Sequence, residues 1–471
     1  MKKSTALIAI LFSLCLTPLF AEYNRLNVPD STIIRRAVAD KWFEAPLSEL
    51  RGFRSEIRTN EIGERFQVRL EETAFQYAII VAPEIQMKVD YYTEKGMESR
   101  LVAEYPGDAC GSWILYCDSS TGKATKIRWY ITQNSDVYIQ FTPDRNKTLG
   151  DFVIDNCYAS RSVPVGILFN QLYTASFANV LQITENSFPW RYAEIHFGDY
   201  LPKMQMISII RKNLSHISYA EDAAYDENGK PVRISDGHSR MVDASERENN
   251  MLSLSSAGFV KWIVDGLIEP VSGSGTFMKP LVQPTMIYDP LSYAGMKDES
   301  EGVSFMLDWT RNLAAARFSV QTHRNYRYEE SGVDVSIEPF SSEMTDKGIM
   351  QTAGYIRNSG YAISRLRPVL YVLGVTEPTY CYLAAIRRRY VSVNGTAPEL
   401  YKFDQTAVIF PYFDKNGRFA ITVFENGTEV PYNTFVSKYK NSFVHLTRVL
   451  ASEKFFPLGA DAKEVPVERP R

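Results

Sequence analysis

Hydrophobic and polar positions alternate over the first third of this chain. Between residues 63 and 164 the alternation runs through Phe66, Val68 and Leu70, through Ile127, Trp129 and Ile131, and through Val137, Ile139 and Phe141. A period of two puts every second side chain on one face, so these stretches predict antiparallel strands with one face buried. The polar turns SSTGK (119–123) and QNSD (133–136) fall between them, and the short spacing predicts a β-sandwich of about 100 residues. Ahead of it, Asp30 and Ser31 can cap a helical pattern through Ile33, Ile34, Ala37 and Trp42, which makes 22–62 an N-terminal helical segment. Behind it, Leu168, Leu172, Phe177, Val180 and Leu181 form one stripe closed by Pro189, so 165–199 reads as a helical bridge.

From about residue 200 the period changes. A helix is predicted from Met204 to His216, then a hairpin turning at DENGK (226–230). Phe259, Trp262, Ile263 and Leu267 recur at offsets 0, 3, 4 and 8 within Leu254–Pro270, the spacing of one buried helix face. Met306–Phe318 is a further helix, followed by the strand-like GVDVSIEPF. Arg365–Leu373 and Tyr380–Arg387 read as helices broken by Pro378, with Arg387, Arg388 and Arg389 as a solvated helix end. The last block is again β: Phe403–Phe413, a turn at Asp414–Gly417, Phe419–Glu425, a turn at Asn426-Gly427, and FVHLTRV around His445. The tail 457–471 is polar and Pro-rich and predicts disorder.

Composition narrows the function classes. With 471 residues, 45% of them apolar, the chain can bury a large core in two or three domains. A formal charge of −3 gives no basic footprint, so nucleic acid is not an expected partner. Residues 1–21 carry Lys2 and Lys3, an apolar run from Ala6 to Leu16 and the small Ala21, the pattern of a bacterial secretory signal peptide. An exported protein, periplasmic or extracellular, is the expectation. Cys15 offers a lipoprotein route, but Leu14 stands where a small residue belongs, so export without lipid is preferred. No later run reaches the ~18 apolar residues of a spanning helix, so no transmembrane segment is expected in the mature chain. Four cysteines follow the leader: Cys110, Cys117, Cys157 and Cys381. Cys117 with Cys157 is the candidate disulfide, four buried thiols the other reading. No CxxC pair or His/Cys cluster occurs, so neither metal nor cofactor is expected.

The candidate chemistry lies at the start of the helix through Phe259. Ser255 and Ser256 can cap it, worth about 1 kcal/mol, and a helix N-terminus also favours negative charge and activates a thiol. The stretch Ser255, Ser256, Ala257, Gly258, Phe259 resembles the Asp/Asn-Cys-Ser-Gly-Phe/Leu motif of the NlpC-like cell-wall peptidases, a papain-like family. TAVI from Thr406 resembles the His-Val-Gly/Ala-Ile of that family's first catalytic strand. Both occur in the family's order of helix, strand, hairpin and strand. The resemblance covers about 200–270 and 400–450. It implies an α+β fold in which the β-sandwich precedes a papain-like domain at 200–456 with a long insert at 271–400. Ser256 then holds the place of the nucleophilic cysteine and Thr406 that of the histidine. The layout is also similar to that of secreted spirochaete proteins, which implies no activity.

A serine hydroxyl depends on an adjacent base, and threonine cannot take and return a proton near pH 7. The resemblance therefore implies an inactive pocket that binds or scaffolds at the cell envelope, with a peptidoglycan peptide or an envelope protein as partner. Tyr219, which aligns with a tyrosine that shapes the family's site, and Trp262 are the candidate binding residues. One alternative is a serine-dependent hydrolase or amidase in which His238, His323 or His445 serves Ser256. The other is an adhesin or structural envelope protein acting through the β-sandwich.

Overall fold

The computed structural model describes Leu26 and residues 28–460, apart from 95, 243, 245, 247–250, 286–302, 353 and 391–399. The signal-peptide reading of 1–21, with Cys15, falls outside these residues, as does 461–471. Ser31 caps α1 (Thr32–Val38), its hydroxyl accepting from the Ile34 N–H. The alternating region becomes β1 (Glu56–Thr59), β2 (Arg65–Glu72), β3 (Gln76–Pro83), β4 (Ile85–Thr93), β5 (Gly96–Glu104), β6 (Trp113–Asp118), β7 (Ala124–Tyr130), β8 (Val137–Asp144), β9 (Lys147–Ile154) and β10 (Cys157–Val165), and α2 (Phe177–Thr184) follows.

The second part holds α3 (Leu201–Asn213), β11 (Ile217–Tyr219), β12 (Ala223–Tyr225), β13 (Pro231–Arg233), β14 (Leu252–Leu254), α4 (Ser256–Ser272) and α5 (Phe305–Thr322). Then come β15 (Ser342–Thr345), β16 (Gly348–Gln351), β17 (Tyr361–Ala362), α6 (Leu366–Thr376), β18 (Tyr380–Tyr390), β19 (Leu400–Phe413), β20 (Phe419–Glu425), β21 (Thr428–Val430), α7 (Tyr432–Lys438) and β22 (Phe443–Leu450). With 30% helix, 36% strand and large antiparallel sheets, the fold is α+β.

The expected sandwich is one sheet. Its strands run in the order β1-β2-β3-β6-β7-β8-β9-β10-β15-β16, while β4 and β5 pair only with each other. Alternation reports a buried face but not what buries it, so a wide sheet covered by helices reads like two facing sheets. Here the cover is α1, α2 and the segment after β10: Val38, Trp42, Phe177, Val180, Phe188 and Trp190 share a core with Trp113, Trp129, Ile139 and Phe152. The Arg35 guanidinium lies over the rings of Trp113 (4.2 Å) and Trp129 (4.5 Å), and Asp30 pairs with it. Residues 165–199 lie on this sheet, and Trp190, Tyr192 and Ala193 near their end share its core with Tyr371, Val372 and Val375 of α6.

The second sheet has the order β17-β22-β18-β19-β20-β21, with a core on each face. α3, α4 and α5 cover one, through Ile210, Phe259, Ile263, Trp309 and Leu313 against Leu383, Val408 and Val449. α6 and α7 cover the other, through Leu366, Leu370 and Phe435 against Tyr382, Ala384 and Ile409. Burial on both faces is why Tyr380–Arg387, read above as a helix, is the strand β18: an apolar run without alternation fits either element. The arginine run closes that strand, Arg387 on Ser359 and Arg388 on Asp404. The region 271–400 supplies α5 and β18 to this sheet and the β15–β16 hairpin to the first. At the far end, Pro457–Ala460 packs on α4, the Phe456 N–H donating to the Gly266 carbonyl.

Cys110, Cys117, Cys157 and Cys381 are free and buried, so the Cys117–Cys157 bridge does not form. β6 and β10 stand four places apart in the sheet order, roughly 19 Å at the usual strand spacing, whereas a disulfide needs Cα atoms within about 7 Å. Burial pushes the thiols of Cys110 and Cys381 up to about 12 and that of Cys157 to about 11.

Candidate functional site

α4 starts where β14 runs into Ser255. The Ser255 N–H donates to the Ala223 carbonyl on β12 at 2.9 Å, and the Ser255 hydroxyl accepts from the Gly258 N–H at 3.1 Å. Gly258 permits this approach, since a Cβ there would stand 2.1 Å from the Ala223 oxygen. The helix mouth is thereby aimed at β19.

There Ser256 meets Thr406. Their hydroxyl oxygens are 2.8 Å apart, the Thr406 N–H donates to Ser256 Oγ at 3.0 Å, and Thr406 Oγ1 donates to the Ser256 carbonyl at 2.9 Å. The contact exists because β20 pairs with β19 only from Val408 onward, which leaves the Thr406 main chain for the helix. Ser256 Oγ also reaches the Thr406 carbonyl at 3.3 Å, so each hydroxyl has two acceptors within the pair for its one proton. Both side chains are buried, 4% and 1% exposed, and their hydrogens are spent within the pair. No base accepts from Ser256 among the described residues. The two positions picked out by motif are brought together, as two hydroxyls in a closed circuit.

The three candidate histidines lie elsewhere. His238 is exposed beside Asp236, and His323 is an exposed left-handed cap at the end of α5. His445 on β22 faces the same side of the sheet as Thr406, with Ala385 of β18 in register between them, so it sits two strand spacings away, about 10 Å. It belongs to a different group. His445 Nε2 lies 3.3 Å from Asp334 Oδ2, 3.4 Å from Arg311 Nη2 and 3.4 Å from the Tyr355 hydroxyl. Asp334 also accepts from Arg311 at 2.6 Å and from Tyr328 at 2.7 Å, and Arg311 reaches Asn358 and Thr285. Burial would raise the Asp334 carboxyl, but hydrogen bonds and charge from His445 and Arg311 outweigh it and hold the group well below the carboxylate range. Burial pushes the His445 imidazole below its ordinary value against the pull of Asp334. No motif in the residues marks this cluster, because its members sit on separate elements. The available signal was slight: Arg311 falls four positions after Leu307 and three before Ala314, on one helix face, whereas Asp334 alternates with Val333 and Val335 and reads as outward.

Of the two candidate binding residues, Trp262 is in the core, stacked on Phe259 with its indole N–H on the Leu458 carbonyl at 2.9 Å. Tyr219 is exposed on β11, opposite Leu254 of β14. One is buried and the other exposed, and no side-chain hydrogen bond among the described residues joins either to Ser256. Among the described residues no group of His, Cys, Asp or Glu could hold a metal ion, and no helix is long and apolar enough to cross a membrane.

Residues 24–192 match a protein family described as Domain of unknown function (DUF8515). That match covers α1, β1–β10 and α2 and stops short of α3. Comparison with curated proteins and with solved structures finds no match.

Proposed function

We propose that residues 200–456 form a papain-like domain of NlpC type whose reacting pair has become two hydroxyls, and that the exported protein binds a cell-wall peptide or an envelope protein without cleaving it. One observation carries this reading: the Ser256 hydroxyl, at the mouth of α4, is closed onto Thr406 of β19 at 2.8 Å. The pairing of helix mouth and strand is what the resemblance implies for nucleophile and base, and the side chains present have no proton acceptor of suitable strength. The partner class rests on the resemblance and on the leader-like residues 1–21.

Purified protein incubated with cell-wall peptides and with an acyl ester is expected to show no turnover, in the wild type or in Ser256→Ala. Turnover that disappears in Ser256→Ala overturns the proposal and restores the hydrolase. The same variant leaves the buried Thr406 N–H without its acceptor, so unfolding stability should fall by about 1–3 kcal/mol. Cosedimentation with purified peptidoglycan sacculi separates the partners: retention in the pellet points to the peptide, its absence to a protein.

A second reading, binding through the N-terminal region as an adhesin or structural protein would, is favoured by the β4–β5 ribbon. It leaves the sheet between β3 and β6, which pair directly, and exposes Tyr92 at 88% and Leu101 at 71%. A lone two-stranded ribbon is marginal in water, and exposed apolar side chains on one suggest a covering partner. Replacing 87–102 by Gly-Gly is expected to keep the melting temperature and to abolish binding to cell envelopes. Undiminished envelope binding would remove this reading.

A further inference from the structure

Between the last turns of α5, the first residue of β18 and the end of β22 lies a small cavity of about 60 Å³ that opens to solvent, so a ligand would seat its head in it and leave part of itself at the mouth. Its apolar lining includes Phe318, Val333 and Val449. Its polar lining includes Arg317, Gln321, Tyr380 and Arg448, and none of the described residues that line it is acidic. Arg448 is neutralised: it reaches both carboxylate oxygens of Glu377, at 3.0 and 3.1 Å, and the carbonyls of Gly332 and Asp334.

Arg317 is not. It is 5% exposed, and its one hydrogen bond among the described residues is a long 3.5 Å contact from Nε to the Leu450 carbonyl. No carboxylate of the described residues pairs with it, and its fork of terminal N–H groups is unspent. Burial pushes the guanidinium below its ordinary value, opposed only by the Cys381 thiol, which is itself neutral at pH 7. Arginine keeps its proton even so. A buried charge without a counter-ion is strongly unfavourable and is retained where something supplies the opposite charge. Gln321 and Tyr380, which also line the cavity, make no side-chain hydrogen bond among the described residues, so they add free donors.

We propose that this cavity binds a carboxylate carrying a short apolar stem, its two oxygens held by the fork of Arg317 and its stem laid against Phe318 and Val449. One unbalanced positive charge matches a monoanion. A phosphate dianion would need a second, and that of Arg448 is already taken by Glu377. Planar bidentate pairing is what a guanidinium offers a carboxylate, and the apolar lining suits a hydrocarbon stem. Nothing in this depends on Ser256 or Thr406, so either reading can fail alone.

Calorimetric titration of the full chain with 4-methylpentanoate, 4-methylpentanamide and inorganic phosphate tests it. Saturable binding of the carboxylate alone is expected, weakened at least tenfold in Arg317→Gln and several-fold in Gln321→Ala. The unliganded melting temperature of Arg317→Gln should equal or exceed that of the wild type, since the lost group is an uncompensated charge; a merely structural arginine would lower it. If Arg317→Gln does not fold, Arg317→Lys, which keeps the charge but not the fork, carries the same test with Gln321→Ala. No saturable binding of the carboxylate, equal binding of the amide, preference for phosphate, or affinity unchanged in these variants overturns the proposal.

Discussion

Gly258→Ala is expected to lower unfolding stability by about 3 kcal/mol or more, at or beyond the upper end for overpacking a core. The new Cβ would lie 2.1 Å from the Ala223 carbonyl oxygen and 3.3 Å from Ala224 Cα, so the obstacle is main chain and cannot turn aside as a side chain would. Relief requires α4 to back away from β12. That movement stretches the 2.9 Å bond from the Ser255 N–H to the same carbonyl and draws Ser256 off Thr406. Helix propensity works in the opposite direction, favouring alanine over glycine by about 1 kcal/mol, so the sign of the result separates close packing from propensity. Urea unfolding of this variant beside Gly198→Ala, where a Cβ meets nothing within 4 Å, makes the measurement. Equal midpoints for both would mean that α4 does not approach the Ala223 carbonyl this closely.

Asp334→Asn is expected to be the second large loss, about 3–5 kcal/mol, the range for breaking a buried ion pair by removing one charge. Asparagine keeps the size but leaves Arg311, 1% exposed, without a counter-charge in contact with His445. The pH dependence has a definite sign. An Asp held below its unfolded value near 3.8 stabilises the fold above that pH and ceases to as acid protonates it. A His held below its unfolded value near 6.5 acts in the same direction, because below that pH the unfolded chain takes up the proton first. Stability should therefore fall as pH drops below about 6.5, gently at first through His445 and more steeply near pH 4 through Asp334. In His445→Gln the limb between pH 6.5 and 5 should flatten, which denaturant titrations at stepped pH can resolve. A wild-type curve that is flat from pH 7 to 5, or that rises, contradicts the coupling.

Much of the local structure was legible in the residues because it is decided over a few positions. Alternation located the strands around Phe66, Trp129 and Ile139, the spacing of Phe259, Trp262, Ile263 and Leu267 located the buried face of α4, and Ser31 and Ser255 are caps. The turns at 226–230, 414–417 and 426–427 fell where Asp, Asn and Gly tolerate the required backbone, with Gly229, Gly417, Asn426 and Gly427 at positive φ. The order of the two motifs also related Ser256 to Thr406, and the fold puts their hydroxyls in contact.

What the residues could not announce was decided by which elements lie beside which. Periodicity records that a face is buried, not whether a helix or a second sheet buries it, so one ten-stranded sheet read as a sandwich and the doubly covered β18 read as a helix. The end of β20 pairing at Val408 leaves the Thr406 main chain to close on Ser256, and that termination belongs to the sheet. Asp334 owes its lowered pKa to His445, more than a hundred residues away, and to Arg311, which gains its counter-charge from it, while His445 owes its own shift first to burial. Charge and hydrogen-bond capacity are set by composition, whereas their satisfaction depends on distance, and distance exists only once the chain is folded.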